Sequence, residues 1–190
     1  MPDTLLERHA EALRLFGDRV RAVAPDQWDA PTPCTRWSVR QVVHHVTEEQ
    51  LWIPPLVTDG RTVEELGDAF PGDLLGADPA AAFERAAAAA TAAFAAPGAL
   101  HRTVRLSYGP ALGSAYCSEL TADCVVHTWD LARGIGADDR LPGGLVEFSL
   151  QEVLPYAAGL AAGGMYAPAL EVPDGADAQT RLLALLGRRG

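Results

Sequence analysis

Apolar positions along the chain recur mostly at helical spacing. Leu5, Leu6, Ala10, Leu13, Phe16, Val20 and Val23 follow one another three or four residues apart, which predicts a first helix from Thr4 to about Val23, closed by Pro25. After the proline-rich stretch APTPCTRW, Ser38 with Gln41 three residues on forms a capping-box signature. It opens a second helix that is expected to run to the Pro54-Pro55 pair, with Val39, Val42, Val43, Val46 and Ile53 on its apolar face. A polar, glycine-containing loop follows. Asp78-Pro79 then supplies an N-cap and a first-turn proline for the alanine-rich helix AAAFERAAAAATAAF, stopped by Pro97-Gly98. RTVRLS, residues 102–107, alternates polar and apolar side chains and reads as a short strand or extended segment before a turn at Gly109-Pro110. A fourth long helix reaches Gly134 or Gly136, a fifth helical stretch covers Leu145 to about Ala162, and a short one from Ala178 to Leu186 closes the chain.

These elements predict a mainly all-α protein: a four-helix bundle with additional C-terminal helices and at most a short strand, organised as one domain over residues 1–190. With 190 residues and 48% hydrophobic content the chain can bury a full core. No apolar run approaches the roughly 18 residues needed to cross a bilayer, and the N-terminus is amphipathic and acidic, unlike a signal peptide, so the expected location is the cytoplasm. A net charge of −10 with scattered arginines and no lysine argues against nucleic acid as a partner, because a phosphate backbone calls for a concentrated positive face. A small-molecule substrate fits better, and a homodimer is compatible. Three cysteines, Cys34, Cys117 and Cys124, form no CxxC pair and point to neither a disulfide framework nor a thiolate zinc site.

The chemistry lies in SELTADCVVHTWDLARGIG. At about 100° per residue, Leu120, Asp123, Cys124, His127 and Leu131 share one side of the fourth helix, continued by Tyr116 and Cys117. A carboxylate on that apolar side needs a cationic partner, since burying it alone costs several kcal/mol. An arginine would serve. So would a metal ion shared with His127 one turn on, and His45, which lies nearer the apolar face of the second helix than His44, is the third candidate ligand. Two imidazoles and a carboxylate leave a coordination position open for water or substrate. A histidine bordering a core is also a common hydrogen-bonded packing residue, and at His45 that reading stays open. Asp130 either accepts a hydrogen bond from the His127 imidazole, orients a nearby arginine, or is an ordinary surface acid. Arg36 and Arg133 are candidates to meet a carboxylate of a cofactor or substrate, although solvated arginine is the commoner state. Trp37, Trp52 and Trp129 read as bundle filling. Cys34 and Cys124 read as small buried hydrophobes.

The segments TPCTRWSVRQVVHHV, ADCVVHTWDLARGIG and VPDGADAQTRLLALLGRRG together resemble the DinB-like metal-binding superfamily, and within it the mycothiol-dependent maleylpyruvate isomerase-like branch. The resemblance implies a DinB-type bundle holding a divalent metal, zinc in most members with nickel or iron as alternatives, through His45, Asp123 and His127. It implies mycothiol as a thiol cosubstrate, bound as the metal thiolate, in S-transfer, conjugation or isomerisation of a small electrophile. In the better-known isomerases the acidic ligand is glutamate, so Asp123 is a shorter variant. Those isomerases also carry a further C-terminal domain with an arginine needed for activity; this chain is expected to lack it, so maleylpyruvate isomerisation itself is not the expected reaction. The alternative reading is a non-catalytic metal-binding or regulatory protein in which the ion only ties two helices together.

Overall fold

Four long helices form the bundle, each started by the local chemistry of its first turn. In the computed structural model, which describes residues 4–164 and 166–190, α1 spans Leu5–Arg21, α2 Val39–Ile53, α4 Pro79–Ala95 and α5 Gly113–Gly134. The first three residues of the acidic N-terminal segment lie outside the described residues. Thr4 and Glu7 close a capping box on α1, Ser38 and Gln41 close one on α2, and the Asp78 side chain accepts from the Ala81 amide at the start of α4. A short α3, Val63–Leu66, sits in the long α2–α4 connection, again capped by a box, from Thr62 and Glu65. α1 packs against α4 and α5, and α2 against the same two helices, so the bundle encloses Phe16, Val42, Val43, Val46, Phe83, Val125 and Leu131.

Glycine decides how closely α5 approaches its neighbours. A Cβ on Gly134 would lie 2.9 Å from Val39 Cγ2 and 3.0 Å from Thr32 Cγ2, so only a bare backbone lets the end of α5 rest on the entry to α2.

Three expected boundaries move. The helix α2 does not stop at Pro54-Pro55: the prolines remove two amide donors, and the chain answers with one wider π turn over Pro54–Thr58 that buries Leu56 and Val57. The extended segment is one arm of a hairpin, β1 Thr103–Leu106 paired antiparallel with β2 Gly109–Leu112. Its two-residue loop is therefore Ser107-Tyr108, not Gly109-Pro110, and Pro110 is tolerated opposite Arg105 because this ribbon leaves an outer edge that needs no donor. The fifth helical stretch is two helices, α6 Gly143–Val153 and α7 Ala157–Ala162, parted where Pro155 can offer no amide to the helix ladder. With α8, Ala178–Leu185, α6 lies on the outer side of α5 around Ala122, Val126, Val146, Val153, Leu182 and Leu186. Among the described residues no helix is long and apolar enough to cross a membrane.

Candidate metal centre

His45 on α2 and Asp123 and His127 on α5 meet where the two helices face each other. Their donor atoms all lie within 4.8 Å of one another. His45 Nε2 stands 3.3 Å from Asp123 Oδ2, and His127 Nε2 stands 3.4 Å from Asp123 Oδ1. The helix spacing brings this about: Asp123 and His127 are one turn apart on the same side, so both point at α2, and His45 is the α2 side chain that meets them. His44 turns away from the cluster. Its Nε2 lies 3.0 Å from the Gly72 carbonyl oxygen, in the loop before α4.

A second layer fixes the first. Asp130, fully buried, accepts a hydrogen bond of 2.9 Å from His127 Nδ1. That assigns the Nδ1 proton to His127 and leaves its Nε2 facing Asp123 and His45. Arg188 then clamps Asp130 with two bonds, Nε to Oδ1 at 2.8 Å and Nη2 to Oδ2 at 2.6 Å. Asp130 thus contacts both the imidazole and an arginine. Its arginine comes from the far end of the chain, delivered by Gly187, whose φ of +73° and 2.8 Å Cβ approach to the Ala167 carbonyl oxygen exclude any side chain there. Tyr166 completes the set by donating 2.8 Å to Asp123 Oδ1, while the Arg188 guanidinium lies 5.0 Å from the Tyr166 ring centre.

The electrostatics follow from this arrangement. Burial alone would raise the Asp123 carboxyl, but His127 and His45 outweigh it and hold it well below the usual carboxylate range. Burial alone would lower His127; Asp123 and Asp130 outweigh that and lift it to about 9, so in the metal-free protein the ring carries a proton at neutral pH. Asp130 is likewise held down despite its burial, chiefly by Arg188. His9 makes the useful contrast. It is a core histidine hydrogen-bonded, among the described residues, to Thr121 alone, and desolvation drives it down to about 4.

Other candidates fall elsewhere. Arg133 pairs with Asp139 at 3.1 Å and lies over the Trp129 ring, on the exposed side of α5. Arg36 donates 3.0 Å to the Gly164 carbonyl oxygen and so braces the turn that leads to Tyr166. Trp37 is more than filling: its ring centre lies 4.5 Å from that of His45 and 5.4 Å from that of His127, forming a wall of the cluster. Trp129 is fully buried and Trp52 packs edge-on to Phe70, as filling requires. Cys124 is buried and burial pushes its thiol far up, so it behaves as a small hydrophobe; half-buried Cys34 is also raised by burial, with Asp130 adding to the effect and Arg188 opposing it. Tyr166 and Arg188 were not identified from the sequence. The one available signal was that a buried Asp130 already bonded to an imidazole still needs a cation.

The donor set suits a divalent ion: two imidazole nitrogens and a carboxylate, on two rigid helices, with the tautomer of one ring fixed from behind. Residues 9–132 match the family described as mycothiol maleylpyruvate isomerase N-terminal domain, about two thirds of the chain. The chain belongs to that family. Two proteins from strains of Mycobacterium tuberculosis, Uncharacterized protein MT0763 and Uncharacterized protein Rv0738, are each 31% identical to it over 145 residues, covering 72% of this chain and 70% of theirs. No solved structure gives a significant match. The family match includes all three cluster residues and Asp130; Tyr166 and Arg188 lie beyond its end.

Proposed function

We propose that this member of the family is a metal-dependent enzyme that uses a low-molecular-weight thiol, mycothiol, in S-transfer, conjugation or isomerisation of a small electrophile. The observation that carries the reading is the convergence of His45, Asp123 and His127 with Asp130 holding the His127 ring from behind. His45 Nε2, His127 Nε2 and Asp123 would hold the ion. A divalent metal supplies Lewis acidity there, lowering the pKa of a thiol at the open position from its free value of about 8.5, so that the sulfur is nucleophilic near neutral pH.

The protein's own groups have distinct roles. Asp130 and Arg188 keep His127 in the tautomer that presents Nε2 and stop the ring from turning. Tyr166 engages one oxygen of Asp123, which limits rotation of the shorter acid. Trp37 packs against both imidazoles on one side. The test is metal content after purification and dialysis, then titration of the cobalt(II)-substituted protein with mycothiol while the ion's absorption is followed. A new sulfur-to-cobalt absorption supports thiol use. A spectrum unchanged at saturating mycothiol favours an ion that only ties α2 to α5.

A further inference from the structure

The turn ahead of α2 fixes the place of one indole. The Trp37 amide donates to the Cys34 carbonyl oxygen at 2.8 Å, the Thr32 hydroxyl donates to the Trp37 carbonyl oxygen at 2.8 Å, and Pro31 bridges to Ser38, so the backbone at Trp37 is pinned from several directions. The half-buried ring lies at the cluster, its centre 4.5 Å from that of His45 and 5.4 Å from that of His127. It sits nearer the more open of the two imidazoles: the His45 and Asp123 side chains are 25% and 23% exposed, and His127 only 3%. The indole N–H makes no hydrogen bond among the described residues, whereas the hydroxyl of Tyr166, also at the cluster, is engaged by Asp123. The nearby cations are engaged as well, Arg36 by the Gly164 carbonyl and Arg188 by Asp130. A flat apolar ring with an unused donor at the edge of a polar site suits a molecule that shows C–H groups on one face and hydroxyls around its rim, which is a sugar. Cations already paired offer little to an anionic one.

Resting on the thiol-using reading above, we propose that Trp37 selects the thiol, by stacking against an uncharged sugar ring that the thiol carries. Mycothiol is built this way: an N-acetylcysteinyl arm is joined through an amide to a glucosamine, which carries an inositol, and no part of it but the thiol ionises near neutrality. From the sulfur to the first sugar carbon runs a chain of about five bonds, roughly 6 Å when extended. That reach is of the same scale as the separations between the indole and the two imidazoles, so a thiol held by its sulfur at the cluster brings its first sugar to Trp37. The ion accepts the sulfur of any thiol and cannot tell one from another; the indole reads what is attached to it. Because the turn already holds the Trp37 backbone, little conformational freedom is lost when the sugar arrives. Contact with one aromatic face of this kind is worth roughly tenfold in affinity.

The experiment titrates the cobalt(II)-loaded protein with mycothiol and with N-acetylcysteine methylamide, the same arm ending where the sugar begins, and reads both affinities from the sulfur-to-cobalt absorption. The wild type binds mycothiol roughly tenfold more tightly than the truncated thiol. Trp37→Leu binds the truncated thiol as the wild type does and brings the two affinities to within about twofold of each other, while Trp37→Phe, which keeps an aromatic face, retains a preference of severalfold. In the zinc-loaded wild type, nuclear Overhauser contacts join the indole ring protons to the sugar C–H protons of bound mycothiol, a measurement that needs no variant to fold. The proposal is overturned if the wild type binds the two thiols equally, if Trp37→Leu keeps the wild-type preference, or if no indole-to-sugar contact appears. Equal weakening of both thiols in Trp37→Leu, or loss of its cobalt, overturns it too, by making the ring a prop for the imidazoles. Absence of the sulfur-to-cobalt absorption with both thiols is a separate result that defeats the thiol reading and this proposal with it, whereas equal absorption with both leaves that reading standing and removes only the role of Trp37.

Discussion

Arg188 closes a two-point bond on Asp130, 58 positions earlier near the C-terminal end of α5, and both side chains are almost wholly buried. The pair is more than a surface clasp. Asp130 also receives the His127 Nδ1 proton, so the C-terminal turn sets the orientation of a ring whose other nitrogen faces the candidate ion. Stability and site geometry are therefore joined through one carboxylate.

Replacing Arg188 by methionine takes the two-point bond away from the buried Asp130 carboxylate and leaves it only the His127 imidazole among the described residues. Removal of one partner from such a pair costs about 3–5 kcal/mol. The expected result is a clear fall in the urea midpoint, together with a loss of zinc affinity of roughly 10–100-fold from a loosened His127. Chelator competition on the folded variant measures the second effect independently. Wild-type zinc affinity in a destabilised Arg188→Met would show that the clamp serves folding alone.

His45→Ala and His127→Ala should each abolish tight zinc binding, because either change leaves two donors where three are needed to compete with water. His44→Ala should retain zinc, since its ring is turned to the Gly72 carbonyl oxygen and not to the cluster. Metal stoichiometry after dialysis decides the matter, and full retention by both of the first two variants would remove the assignment.

Periodicity made most of this legible in advance. The apolar spacing from Thr4, the capping box at Ser38 and the Asp78-Pro79 start place the helix starts to within a residue or two, and the spacing of Asp123 and His127 puts both on the apolar side of α5. Local pattern could not show contacts between residues far apart in sequence. Tyr166 reaches Asp123 across 43 positions from an irregular segment, and Arg188 depends on a left-handed Gly187, so neither leaves a periodic trace. The broken helix at Pro155 and the π turn after Ile53 were misjudged for one reason: a proline ends, kinks or widens a helix according to what packs around it, and sequence alone does not tell which.

Tyr166→Phe removes one hydroxyl and little else. Asp123 loses a donor to Oδ1 and gains rotational freedom, so zinc affinity should fall by roughly tenfold while the urea midpoint moves only slightly. Competition with a chromophoric chelator reads the first and denaturant unfolding the second. An unchanged zinc affinity would show that the two imidazoles alone hold Asp123 in place.

Metal binding must displace the proton that His127 carries in the ion-free protein. Its folded-state pKa of about 9 lies above the ordinary value of 6.5, so the pairing with Asp123 and Asp130 contributes stability in full below about 6.5, and that contribution fades as pH rises through 9. Asp123 runs the other way: with its carboxyl held below the ordinary range, its contribution is present at neutral pH and is lost as the solution is acidified through that depressed value. At neutral pH an incoming zinc ion takes the place of the Nε2 proton while Nδ1 stays bonded to Asp130. Calorimetry of zinc binding in two buffers of different ionisation enthalpy should therefore report close to one proton released per ion near pH 7.5, falling toward zero above pH 9. A binding heat that does not vary with buffer at neutral pH would mean that His127 is already neutral and that the ion-free cluster is held together by hydrogen bonds alone.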